Sequence, residues 1–205
     1  MLDNELQEAY AHYVKGCQYL TSKKYVDAIN EFNISIKLDP EARNAYGKAN
    51  AYSNKGWALE ALGRHEEAIN AYDNALKLNP RDVISWNGKG NVLDNLGRHN
   101  EAIAQYNTAI RLNERYANAY YNKGLALERL EKYKKAIKAY DMAIGITTLK
   151  PSMAFIDSSW SPDPKDLATY RIAKAARDKL IARMKSNQED KKGFLKEFRN
   201  RLQRI

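Results

Sequence analysis

The residues best placed to do chemistry in this chain are asparagines. Asn50, Asn54, Asn87, Asn91, Asn118 and Asn122 recur along one stripe of predicted helix, although asparagine is a middling to poor helix former. Each carboxamide offers a donor and an acceptor together, the complement of a peptide bond's C=O and N–H. Such a row suits recognition of an extended backbone, not bond cleavage.

The groups that catalysis needs are scattered. The chain has three histidines and a single cysteine, Cys17. His65 and His99 fall where Tyr25 and Tyr133 stand in comparable stretches, and His12 takes the place of Trp86, so all three read as packing or turn residues. A lone thiol rules out an intramolecular disulfide or a cysteine-based metal cluster and fits a reducing, cytoplasmic setting. No His, Cys or carboxylate group has metal-ligand spacing, no glycine motif would cradle phosphate, and no nucleophile stands beside a base. The expectation is a protein with no catalytic residue, no cofactor and no metal.

The elements that position the asparagines come from an internal repeat. Trp86, Gly90, Ala102 and Tyr106 form a skeleton of aromatic, glycine, alanine and aromatic; Gly56, Ala68 and Tyr72 repeat it upstream, and Gly124, Ala136 and Tyr140 downstream. Gly16, Ala28 and Phe32 supply a fourth copy near the start. In the third copy Trp86, Gly90 and Leu93 recur at helical spacing, Leu96-Gly97-Arg98 interrupts it, and Ala102, Ile103, Tyr106, Ala109 and Ile110 resume it. Each copy therefore predicts two helices, with Gly97 ending the first in the left-handed cap conformation. The glycines and alanines let the helices approach closely while the aromatics fill the space around them.

This pattern resembles the tetratricopeptide repeat family, whose signature extends over about 34 residues. Tyr52, Gly56, Leu59, Gly63, Ala68, Tyr72, Ala75 and Pro80 occupy the signature places in the second copy, and Gly56, Gly90 and Gly124 are 34 residues apart. Glu114 and Thr148 replace the terminal proline in copies three and four, Glu131 replaces the turn glycine in the last, and Lys15, Lys55, Lys89 and Lys123 replace the usual leucine. The resemblance implies an all-α, right-handed α-solenoid of four helical hairpins. It also implies a concave face lined by the first helices and able to hold an extended peptide. On that face it places Asn50, Ser53, Asn54, Trp57, Asn87 and Asn91, followed by Asn118, Tyr121, Asn122 and Leu125. Asp94, Asn95, Glu128 and Arg129 stand one turn further along. Trp57, Tyr121 and Leu125 would supply apolar contacts, and Gly88 interrupts the asparagine ladder. The two-carboxylate clamp of members that hold chaperone tails is missing. Tyr13, Cys17, Ile84, Gly88, Asn118 and Asn122 stand at its other places, and only Asn54 fits.

The repeats span about residues 9–42, 49–82, 83–116 and 117–148, within an array of residues 1–148. The Gly16-to-Gly56 interval is 40 residues, so residues 43–48 form a six-residue insertion that should lengthen the first helix of repeat two or form a short loop. Residues 149–163 read as a connecting segment whose Phe155, Ile156 and Trp160 pack on the last repeat or fold into the groove. Residues 164–205 read as two C-terminal helices, starting at Asp163-Pro164. Leu167, Tyr170, Ala173, Leu180, Ile181 and Met184 face the array, and Phe194, Leu195, Phe198, Leu202 and Ile205 form a second stripe.

Charge is uneven. Of the net +9, residues 165–205 hold 13 Lys and Arg against 5 Asp and Glu, and the array is nearly neutral. With Lys192, Lys196, Arg199 and Arg204 this tail is either only a solvated capping helix pair or the place for an acidic protein partner, nucleic acid or an anionic surface, although no recognition motif accompanies them. The tail could instead join two copies as a homodimer through its apolar stripe. No transmembrane run and no secretory signal is apparent. The leading expectation is a protein-interaction scaffold that binds an extended partner segment in the groove. Losing Asn54 and Asn122 together should then weaken binding with little change in melting temperature.

Overall fold

The computed structural model describes residues 4–39, 44–148 and 168–186. The first two stretches form α1 (Asn4–Thr21), α2 (Tyr25–Leu38), α3 (Ala45–Ala61), α4 (His65–Leu78), α5 (Val83–Asn95), α6 (His99–Leu112), α7 (Ala117–Arg129) and α8 (Tyr133–Thr148). Residues 168–186 are also helical. Among the described residues no helix is long and apolar enough to cross a membrane.

Each odd-numbered helix packs on the even-numbered helix that follows it. The pairing rests on a close approach: a Cβ at Gly90 would lie 2.5 Å from the ring of Tyr106, and one at Gly16 the same distance from Phe32. Gly56 against Tyr72 and Gly124 against Tyr140 repeat the arrangement. Ala28, Ala68, Ala102 and Ala136 are fully buried beside these aromatics. The core is thus a row of aromatic rings lodged against glycine backbone, at the density of protein interiors.

The turns inside the hairpins share one geometry. Arg64 N donates to Leu59 O and Gly63 N to Glu60 O, and Arg98 and Gly97 bond in the same way to Leu93 and Asp94. This is the paired capping of a helix that ends in a left-handed residue, with φ of +72° at Gly63 and +75° at Gly97. Lys23 and Glu131 take the same conformation at φ 57° and 56°. The substitution at Glu131 keeps the turn at a conformational cost of about 1 kcal/mol.

Consecutive odd-numbered helices touch one another, whereas no two even-numbered helices do. The odd-numbered helices therefore form the tighter, inner layer, and the array curves around them. Their lengths differ: α1 and α3 have 18 and 17 residues, α5 and α7 have 13 each. The added length of α3 is at its N-terminal end, where Asn44 Oδ1 accepts from Gly47 N at 3.0 Å.

The segment 168–186 covers the last hairpin. Leu180 is buried with Leu127, Ala136, Ala139 and Tyr140, Arg177 donates to Asp141, and the Arg183 guanidinium lies 5.5 Å from the Tyr133 ring centre. Ala173 is fully buried. The apolar positions Phe155, Ile156, Trp160, Leu167, Phe194, Leu195, Phe198, Leu202 and Ile205 lie outside the described residues, as do the basic positions Lys192, Lys196, Arg199 and Arg204.

Candidate functional site: the inner face of α3, α5 and α7

The predicted site residues fall into three groups. Asn50 lines a hollow of about 240 Å³ at the N-terminal end, with Leu6, Tyr10 and Tyr13 of α1, Ser35 and Asp39 of the α2 end, and Lys48 of α3. Burial and the neighbouring Cys17 push the Tyr13 hydroxyl up to about 12, so it stays neutral. Asn54, Trp57, Asn87 and Asn91 line a second hollow of about 310 Å³ between α3 and α5, together with Ser53, Glu60, Tyr72, Ile84 and Gly88. The residues of α7 form the third group and contribute to neither hollow.

The asparagines are not equally free. Asn122 Nδ2 donates to Asn87 Oδ1 at 3.1 Å and to Asn91 Oδ1 at 2.9 Å, and the Tyr106 hydroxyl also donates to Asn91 at 3.0 Å. Asn87 is nearly buried. These three carboxamides form a knot between repeats three and four that spends much of their bonding capacity internally. Asn54 is looser, its Nδ2 reaching Tyr13 Oη at 3.4 Å and Cys17 Sγ at 3.5 Å. Asn118 is exposed but accepts from Thr169 of the C-terminal segment at 2.7 Å.

The apolar residues divide in the same way. Trp57 is 48% exposed, braced edge-on by Tyr25, and Ile84 is 64% exposed. Both border the second hollow. Tyr121 and Leu125 instead pack against the Leu127, Tyr140 and Leu180 cluster. Among the described residues, exposed apolar surface therefore stands at α3 and α5, while the C-terminal segment packs with the apolar residues of α7.

The sequence reading overlooked Ile84, Glu60 and Tyr72 as site residues. Glu60 is in register with Asp94 and Glu128, which was the signal available for it. Its carboxylate accepts from the Tyr72 hydroxyl at 3.3 Å, and burial pushes it up to about 7 against the lowering effect of that bond. Tyr72 and Tyr106 are both pushed well up, by burial first and then by the Glu60 charge. Asp94 has a different setting: His99 Nδ1 lies 2.6 Å from it and Arg129 pairs with its other oxygen. Glu128 accepts from the Tyr140 hydroxyl at 3.0 Å. His99 and His12, expected only as packing residues, thus carry polar contacts, His12 with Glu31 at 2.6 Å. Among the described residues the buried His65 Nδ1 has no hydrogen-bond partner.

Gly88 forms part of the wall of the second hollow. It stands where α3 has Asn54 and α7 has Asn122, and a Cβ there would lie 2.5 Å from the Tyr72 Cζ. Without a side chain at 88, the Tyr72 ring packs directly against α5 and lines the hollow with the Glu60 carboxylate. Among the described residues no group of three or more His, Cys, Asp or Glu could hold a metal ion.

The sequence profile of the tetratricopeptide repeat family matches residues 53–113 and 88–153, and the chain belongs to that family. No curated protein matches it significantly. Among solved structures, YrrB, described as a tetratricopeptide repeat protein with an unusual peptide-binding site, is 26% identical; the match covers 71% of each chain with a TM-score of 0.58. MamA is 22% identical over 93% of this chain and 95% of its own, with a TM-score of 0.60. A tetratricopeptide repeat protein from Parabacteroides merdae is 18% identical over 86% of this chain and 61% of its own, at 0.63. The fold is the all-α, right-handed solenoid of this family, a protein-interaction scaffold.

Proposed function

We propose that the inner face of α3 and α5 holds an extended segment of a partner protein. Asn54 and the accessible edge of Asn91 grip its backbone, and Trp57 and Ile84 take its side chains. The observation that carries this reading is the pair of exposed apolar side chains, Trp57 and Ile84, flanking one polar hollow on an otherwise carboxamide-rich surface. Large apolar groups beside directional polar ones are the usual composition of a recognition site. The likeness to YrrB, whose description includes a peptide-binding site, supports the same reading.

Peptides selected from a random displayed library on the immobilised full chain test it by titration. Trp57→Ala should weaken the selected peptides about tenfold or more, as removal of a central aromatic anchor does. Thr108→Ala on α6 should leave them unchanged. Equal affinity of Trp57→Ala and the unaltered protein would contradict the proposal.

A further inference from the structure

We infer that the hollow between α3 and α5 is built for a basic side chain, a Lys or Arg of the bound segment whose charged head meets the Glu60 carboxylate. This rests on the groove reading above and adds the chemistry of the occupant.

The argument starts from a comparison within the molecule. Glu60, Asp94 and Glu128 occupy one register position on α3, α5 and α7. Asp94 is neutralised by Arg129 of the following repeat and contacted by His99. The residue in register with Arg129 one repeat earlier is Asn95, so the guanidinium that serves Asp94 has no counterpart for Glu60. Among the described residues the Glu60 carboxylate is held by the neutral Tyr72 hydroxyl and pairs with no cation. The groups that face it are Tyr72 of α4 and Tyr106 of α6, both kept protonated by burial, and the uncharged Asn87 and Asn91 of α5 share its hollow. A half-buried carboxylate with no cation is unfavourable in the free protein, and a ligand cation removes that penalty.

The walls fit the rest of such a side chain. Lysine and arginine lay their methylene stems along apolar surface and keep the charge at the tip, and Trp57 and Ile84 border the hollow as Glu60 does. Gly88, bare of a side chain, lets the Tyr72 ring that holds the carboxylate pack directly against α5 at the wall of the hollow. An acidic segment would meet a like charge without a counterion.

The test uses the full chain and the library-selected peptides. They should be enriched in Lys or Arg. For one of them, replacing its Lys by norleucine should weaken binding to the unaltered protein about tenfold, the scale of a desolvated charge pair, and should change little on Glu60→Gln. Glutamine keeps the bond with Tyr72, so a merely structural role would leave the peptide preference intact. Because the cation binds the ionised form, affinity should fall about tenfold between roughly pH 8 and pH 6 for the unaltered protein and stay level for Glu60→Gln. Selected peptides without basic enrichment, or with equal affinity for Glu60→Gln, would overturn this inference and leave the groove reading standing. Failure to select any peptide would overturn both.

Discussion

The Tyr72 ring lies so close to Gly88 that a Cβ on residue 88 would sit 2.5 Å from its Cζ and 2.6 Å from its hydroxyl. Tyr72 also lies against Gly56 of its own hairpin. One ring thus joins repeat two to repeat three and forms part of the lining of the hollow beside Glu60.

Gly88→Ala follows directly from that contact. Helix propensity alone would favour alanine by about 1 kcal/mol. Overpacking against a buried ring opposes it by about 1–3 kcal/mol, so the net expectation is a loss on the order of 1 kcal/mol in urea unfolding, with weakened peptide binding. A stabilised variant with unchanged binding would show that the ring yields freely.

Glu60→Gln should change how stability depends on pH. Burial pushes the folded carboxyl up to about 7, well above the ordinary carboxylate range. The native state therefore holds its proton longer than the unfolded chain does. Stability tied to this group is complete below about 4.5, declines as pH rises towards 7, and stays reduced above it. At about pH 8 the glutamine variant should be more stable by on the order of 2 kcal/mol, with the difference gone near pH 4. Thermal melts across this range measure it, and parallel curves would contradict the assigned setting of Glu60.

The hairpins were legible from Gly16, Gly56, Gly90 and Gly124 because close packing leaves a periodic trace: each glycine faces one aromatic, and each turn has its own left-handed residue. The function of the inner face was legible only by position. Asn54 and Asn122 share a register but not a state, because Asn122 meets Asn87 and Asn91 of the preceding repeat, a contact between helices that no local pattern records. Glu60 was overlooked for a related reason. Its setting depends on Asn95 standing where α7 has an arginine, and on Gly88 admitting the Tyr72 ring that holds it.

Asn122→Ala should therefore cost stability, contrary to the expectation from sequence. Two hydrogen bonds with donor–acceptor distances near 3 Å are lost, and the Asn87 acceptor loses a partner, for a combined effect of about 1–2 kcal/mol. Asn54→Ala, with contacts of 3.4 and 3.5 Å, should stay within about 0.5 kcal/mol. Urea denaturation of the two single variants separates them; equal effects would contradict the carboxamide knot.

Leu180→Ala should loosen the C-terminal end of the array. Leu180 is 1% exposed against Leu127, Ala136, Ala139 and Tyr140, and removing a buried leucine side chain costs about 2–4 kcal/mol. Amide hydrogen exchange should rise first in α7 and α8, since each repeat leans only on its neighbours. Unchanged exchange there would show that the segment adds no support.

The central claim, that the inner face of α3 and α5 holds the partner segment, is tested most directly by photo-crosslinking. A library-selected peptide carrying a benzophenone is irradiated with the full chain, and the adducts are mapped by mass spectrometry. The predicted adducts fall on inner-face positions such as Trp57, Ile84 and Asn91. Adducts confined to the outer helices α4 and α6, or to residues 165–205, would contradict it.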